Sequence, residues 1–217
     1  MLTSARPSLR SLGVLGLLLL AGCASSYYAM METFGVEKRE ILKDRVVEGR
    51  EDQEEAKRQF RTTLEAFKAT SGFKGGDLEK TYEKLNGEFT DCETRAENVR
   101  SSIESIEEVA TDLFDEWKRE NGNISDRNLR EQDKALLEQT KSKYAQLLDA
   151  MHRTEKTMDP VLSRFRDQVL YLKHNLNAAA ISSLAGNVAS IENDVEALIK
   201  DMEASIAEAD AFIKTVA

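Results

Sequence analysis

Proline occurs only at Pro7 and Pro160 in this 217-residue chain, so little interrupts helix formation beyond the first few residues. Cysteine is equally scarce, with Cys23 and Cys92 alone, which excludes a disulfide-stapled scaffold and a cysteine-ligated metal site. Aromatic residues make up 6% of the chain, and Ala, Glu, Leu, Lys and Arg are plentiful, which is the composition of long helices and coiled coils. Basic residues are in deficit, 30 against 39 acidic ones, for a formal net charge of -9. A body of that sign repels nucleic acid and anionic lipid surfaces. Long apolar runs are missing too, apart from Leu12 to Leu20.

That run has a specific setting. A short start carrying Arg6 and Arg10 precedes it, and Ala21 and Gly22 follow it before Cys23. The layout is that of a secretory signal, and the apolar part is too short to span a bilayer as a mature helix. The string Leu20-Ala21-Gly22-Cys23 resembles the lipobox of bacterial lipoproteins, which implies cleavage before Cys23 and acylation of the new N-terminus. Two or more acyl chains give stable anchoring. Ala24 and Ser25 follow the cysteine where an Asp would resemble an inner-membrane retention signal. The expected location is therefore the periplasmic face of an outer membrane. Expected divisions are a signal at 1–22, a lipidated N-terminus and short linker at 23–29, and a helical body at 30–217. Cleavage removes two basic residues and no acidic one, so the mature body is still more acidic.

Within the body, apolar residues recur at Leu78, Tyr82, Leu85, Phe89, Cys92, Ala96, Val99, Ile103, Ile106, Ala110, Leu113 and Trp117, alternating steps of four and three. This is the seam of a left-handed coiled coil, and Cys92 in it reads as a small buried hydrophobe. A fainter seam passes through Leu42, Val46, Gly49, Gln53, Ala56, Phe60, Thr63 and Phe67. Gly49 and Gln53 are its soft positions, and a polar seam residue lowers stability while fixing register. The stretch "TSGFKGGD" separates these helices, with Gly72 placed for a left-handed cap and Asp77 for an N-cap. Phe73 is placed to fold back on the last turn near Phe67.

"NGNISD", residues 121–126, makes a second turn before a helix carrying Leu129, Leu136, Tyr144, Leu147, Met151, Met158, Leu162, Phe165, Val169, Leu172 and Leu176. Pro160 predicts a kink or a restart there with Asp159 as cap. The last seam runs Ile181, Leu184, Val188, Ile191, Val195, Leu198, Met202, Ser205, Ala209, Phe212 and Val216. Between the two the phase slips, which predicts a tight turn at Asn175 to Asn177, with Asn177 as cap and Leu176 stapled to Ile181. The expected fold is all-α: an elongated antiparallel four-helix coiled-coil bundle preceded by a lipoprotein signal peptide.

The segments "YYAMMETFGVEKREILKDRV", "SGFKGGDLEKTYEKLN", "FRDQVLYLKHNLNAAAISSL" and "MEASIAEADAFI" resemble an uncharacterised family of bacterial coiled-coil lipoproteins, domain-of-unknown-function family 2959. The resemblance covers nearly the whole mature chain and implies no catalytic residues.

Motifs of chemistry are missing. "GFKGGDLEK" lacks the spacing of a phosphate-binding loop, and no Gly-x-Ser-x-Gly elbow occurs. A di-metal bundle needs two Glu-x-x-His motifs, whereas the nearest match is a single Asp149-x-x-His152. The expectation is no enzyme, no cofactor, no metal and no small-molecule substrate. A basic stretch, Arg153, Lys156, Arg164, Arg166 and Lys173, is expected to face Glu192, Asp194 and Glu196 within the bundle. With the first helix running outward, the first and third turns share the far end. Phe73, Lys173, His174 and Asn175 become the candidate tip through which a periplasmic rod meets an envelope protein, the membrane being held through acyl chains on Cys23. The alternative is a regulator or assembly factor that binds along a helical face or by homo-oligomerisation.

Overall fold

The computed structural model describes residues 38–216. Cys23, the signal, the linker and the first residues of the helical body lie outside the described residues. Four helices follow one another, α1 (Lys38–Ser71), α2 (Leu78–Asn123), α3 (Arg127–His174) and α4 (Ala178–Val216). At about 1.5 Å per residue they are roughly 50 to 70 Å long. No strand occurs among the described residues.

α2, α3 and α4 each start where a side chain can accept free N–H groups of the first turn. The Asp77 carboxylate accepts from Lys80 N at 3.1 Å, Asp126 from Asn128 N and Leu129 N at 2.8 and 2.9 Å, and Asn177 from Ala180 N at 3.0 Å. Such caps contribute typically about 1 kcal/mol each. Gly72 does not close α1 in the left-handed region as expected. That conformation falls to Gly75 (φ 146°) and Gly76 (φ 118°), which reverse the chain after α1 has already ended in bonds from Gly72 N to Lys68 O and Phe73 N to Thr70 O.

Cross-helix contacts fix the arrangement. Going up α1 from Asp52 to Thr63, the α2 partner falls from Ser102 to Glu88, so the two run antiparallel. From Arg50 to Lys68 the α4 partner falls from Asp210 to Glu192. Arg100 of α2 meets Asp159 of α3, and Thr157 of α3 meets Asp201 of α4. The cyclic order is therefore α1, α2, α3, α4 and back to α1. α1 and α3 lie on the diagonal and run parallel, with the Phe67 and Phe165 rings stacked at 4.7 Å between centroids.

The seams of α1 and α2 are as the sequence spaced them. Every named α1 position from Leu42 to Phe67 is buried, Gly49 and Gln53 included, and so is every α2 position from Leu85 to Leu113. α4 follows suit from Ile181 to Phe212, with Val188 half-buried. Burial of a large apolar side chain contributes about 1.5 to 3 kcal/mol, and that is what holds helices of this length.

α3 departs from expectation in its first turns. Leu129 and Leu136 are 58% and 47% exposed, and Leu137 and Thr140 take the core positions instead. Nor does the helix restart at Pro160. It runs unbroken, Asp159 pairs with Arg100 at 2.6 Å rather than capping, and Pro160 sits on the exposed side. There the carbonyl that proline leaves without a donor is open to solvent.

Candidate functional site

Because the helices alternate in direction, the α1–α2 and α3–α4 turns lie at the same end of the bundle, opposite the start of α1. Three of the expected tip residues share the end of α3. Lys173 and His174 are exposed, and Asn175 is half-buried. Asn175 closes the helix: its backbone N–H donates to Leu172 O at 3.1 Å, and its side-chain amide donates to Tyr171 O at 3.1 Å. Lys173 and His174, in the last turn, oppose the negative end of the helix dipole. Phe73 belongs to the other turn. It is half-buried, with its ring edge 3.9 Å from where a β-carbon on Gly76 would sit. Phe67 is instead occupied by Phe165.

The structure adds three residues to this end. Leu170, Tyr171 and Leu176 are 46%, 44% and 40% exposed. Leu176 keeps two-fifths of its surface exposed, and its expected staple partner Ile181 is buried. A signal for Leu170 and Tyr171 was present in the run Val169-Leu170-Tyr171-Leu172. Four consecutive apolar residues span more of a helix than one seam can bury, so two must face outward.

The basic stretch of α3 is mostly neutralised within the bundle. Arg164 meets Asp194 at 2.8 Å as expected, but Arg166 turns to Glu93 of α2 at 2.5 Å and Arg153 to Asp149 at 3.1 Å. Glu192 is taken by Lys68 of α1 at 2.6 Å.

At the opposite end, Trp117 and Asn121 of α2 both donate to the Asp133 carboxylate, at 2.9 and 2.8 Å. The Arg39 guanidinium lies over the Trp117 ring at 5.3 Å from its centroid. Midway along the bundle, His152 stands between two carboxylates, with Nδ1 3.1 Å from Glu155 and Nε2 3.2 Å from Glu107. Partial burial pulls its pKa down, but the hydrogen bonds to Glu155 and Glu107 outweigh this and leave it raised. Tyr144 is pushed up to about 12, by burial and by the Glu107 charge.

Cys92 is fully buried in the α2 seam as expected, and burial pushes its thiol up to about 12, against a smaller lowering by its hydrogen bond with Thr63. A thiol so held stays protonated and unreactive at neutral pH. Among the described residues no group of three His, Cys, Asp or Glu side chains is placed to hold a metal ion. No described helix is long and apolar enough to cross a membrane.

The model of one family, described as a protein of unknown function (DUF2959), matches residues 27–216. No curated protein matches the chain.

Proposed function

This chain belongs to DUF2959, a family of unknown function, and from that premise we propose that it is a structural lipoprotein of the cell envelope rather than an enzyme. In this reading acyl chains on Cys23 anchor it to the periplasmic face of the outer membrane. The bundle then serves as a spacer or scaffold whose tip meets a partner. The observation that carries the reading is the gathering of both α1–α2 and α3–α4 turns at one end, with exposed Lys173, His174, Leu170, Tyr171 and Leu176 there. α1 alone holds that end about 50 Å from its own start.

Photo-crosslinkers placed at Phe73, Lys173 and His174, and separately along the exposed helix faces, test this in intact cells. The expected result is adducts from the tip that are lost when the three residues are replaced together, with helicity unchanged. Adducts confined to the faces would overturn the tip reading. Metabolic labelling with an alkynyl fatty acid should mark the wild type and not Cys23→Ser.

A second reading, a regulator or assembly factor that binds along a helix, is favoured by Leu129 and Leu136. They lie one heptad apart on α3 and are the most exposed large apolar side chains among the described residues. Face adducts at these positions would select it.

A further inference from the structure

We propose that the α3–α4 tip docks on the headgroup region of an anionic phospholipid surface, with Leu170, Tyr171 and Leu176 entering the interface and Lys173 meeting the phosphates. This rests on the spacer reading above and names what its tip touches.

The charge distribution points there first. The chain is strongly acidic, yet no Asp or Glu occurs between Asp167 and Glu192, the stretch that ends α3, makes the turn and begins α4. Lys173 and His174 are exposed within it, and among the described residues no carboxylate pairs with Lys173. The neighbouring turn and the first turn of α2 bring Lys74 and Lys80 against Asp77 and Glu79 in equal number, and the Asp77 carboxylate is engaged in capping α2. At physiological ionic strength charges act over about 8 Å. A surface touching the tip therefore senses the local Lys173, while the acidic flanks of the bundle sit farther off and are screened. Those same flanks disfavour lying flat on an anionic surface, so the approach is through the α3–α4 end, tilted so that the side of α3 carrying Leu170 and Tyr171 also meets the surface.

The apolar side chains make the second half of the argument. Leu170, Tyr171 and Leu176 are large and partly exposed, and they fall in the last turns of α3 and the turn that follows it. A soft interface accepts such apolar side chains beside a lysine, with tyrosine at headgroup level and leucines just below it. A protein partner would need matching pockets to bury them.

The test uses the full-length chain carrying Cys23→Ser, so that no acyl chain holds it to the vesicle, together with Tyr171→Trp, with phosphatidylcholine vesicles, vesicles that also contain phosphatidylglycerol, and brominated lipid as quencher. The native indole, Trp117, lies at the opposite end and serves as the unquenched reference in the parent protein. Bromolipid should quench the added indole of Y171W in phosphatidylglycerol vesicles, less in pure phosphatidylcholine, and less again in high salt. Adding Leu176→Ser and Lys173→Glu to Y171W should weaken vesicle affinity on the order of tenfold or more. Leu129→Ser with Leu136→Ser, at still more exposed positions far from the tip, should leave it unchanged. Circular dichroism verifies that each variant keeps its helices. No quenching of Y171W, quenching independent of phosphatidylglycerol, or indifference to Lys173→Glu and Leu176→Ser would overturn the proposal. Tip adducts to an envelope protein without lipid quenching would leave the spacer standing and remove only the lipid.

Discussion

Single side chains here are mostly explained by where the seam places them. Cys92 is the plainest case, since its step in the α2 pattern predicts burial and the thiol is held near 12. Its reaction with a thiol reagent is expected to be negligible in native protein and immediate in denaturant, as read by absorbance at neutral pH. Reaction of Cys92 at the rate of a free thiol would contradict that burial. His152 is different, because nothing in its local sequence announces Glu107, which comes from α2. Its raised pKa gives a sign: the stabilisation is complete at pH values below the unfolded imidazole pKa of about 6.5 and is lost as pH rises through the higher folded value. The side chain is 44% exposed, so solvent screening limits the effect to a few tenths of a kcal/mol. His152→Ala should therefore lower the melting midpoint slightly at about pH 5.5 and leave it unmoved at about pH 9. At the tip, Lys173, His174 and Asn175 were legible because a phase slip marks a turn. Leu170 and Tyr171 were not picked out, because they fall between the seam positions Val169 and Leu172.

Whole helices were legible in proportion to how apolar their seams are. α2 is apolar at nearly every step and its seam from Leu85 to Leu113 was legible, while Leu78, Tyr82 and Trp117 towards its ends are only half-buried and α3 hides two core positions behind Thr140 and Thr154, both buried. The true seam steps through Leu137, Thr140, Tyr144, Leu147, Met151, Thr154 and Met158, alternating three and four. Skipping the threonines shifts the reading onto Leu136 and Leu129, which the structure exposes. The restart expected at Pro160 does not occur for a related reason: a proline's effect depends on which side of the helix it occupies, and the exposed side tolerates it without ending the helix. α1 packs tightly against α2 at Gly49. A β-carbon there would lie 2.9 Å from Ile106 Cδ1 and 3.6 Å from Met151 Cε. Alanine can be admitted by a swing of the Ile106 tip, and it gains about 0.5 to 1 kcal/mol of helix propensity. Gly49→Ala is thus expected to be close to neutral in urea unfolding, and Gly49→Val to lose about 1 to 3 kcal/mol through overpacking. Equal stability of the two would refute the close approach.

At the scale of the bundle, three buried polar side chains occupy one level. Gln53 lies between Arg50, which faces Asp210, and Lys57, which faces Glu203, while Thr154 is one turn before Thr157, which faces Asp201. Ser205 therefore stands at their height, and all three are fully buried with the Gln53 amide, Thr154 hydroxyl and Ser205 hydroxyl unpartnered. Replacing a buried unpaired amide by an apolar group of like volume should raise stability by about 1 to 3 kcal/mol. Gln53→Met is expected to move the urea midpoint up with an unchanged slope. A lower midpoint would mean that this layer holds the four helices in register more strongly than its desolvation opposes them. The closing edge of the bundle has a temporal meaning as well. Lys68 and Glu192 are 124 positions apart, and Arg61 and Glu203 are 142 apart. α1 leaves the ribosome well before α4 and thus waits for it before its second flank is covered. Until then a nascent three-helix chain carries an open greasy edge, a natural hold for a chaperone.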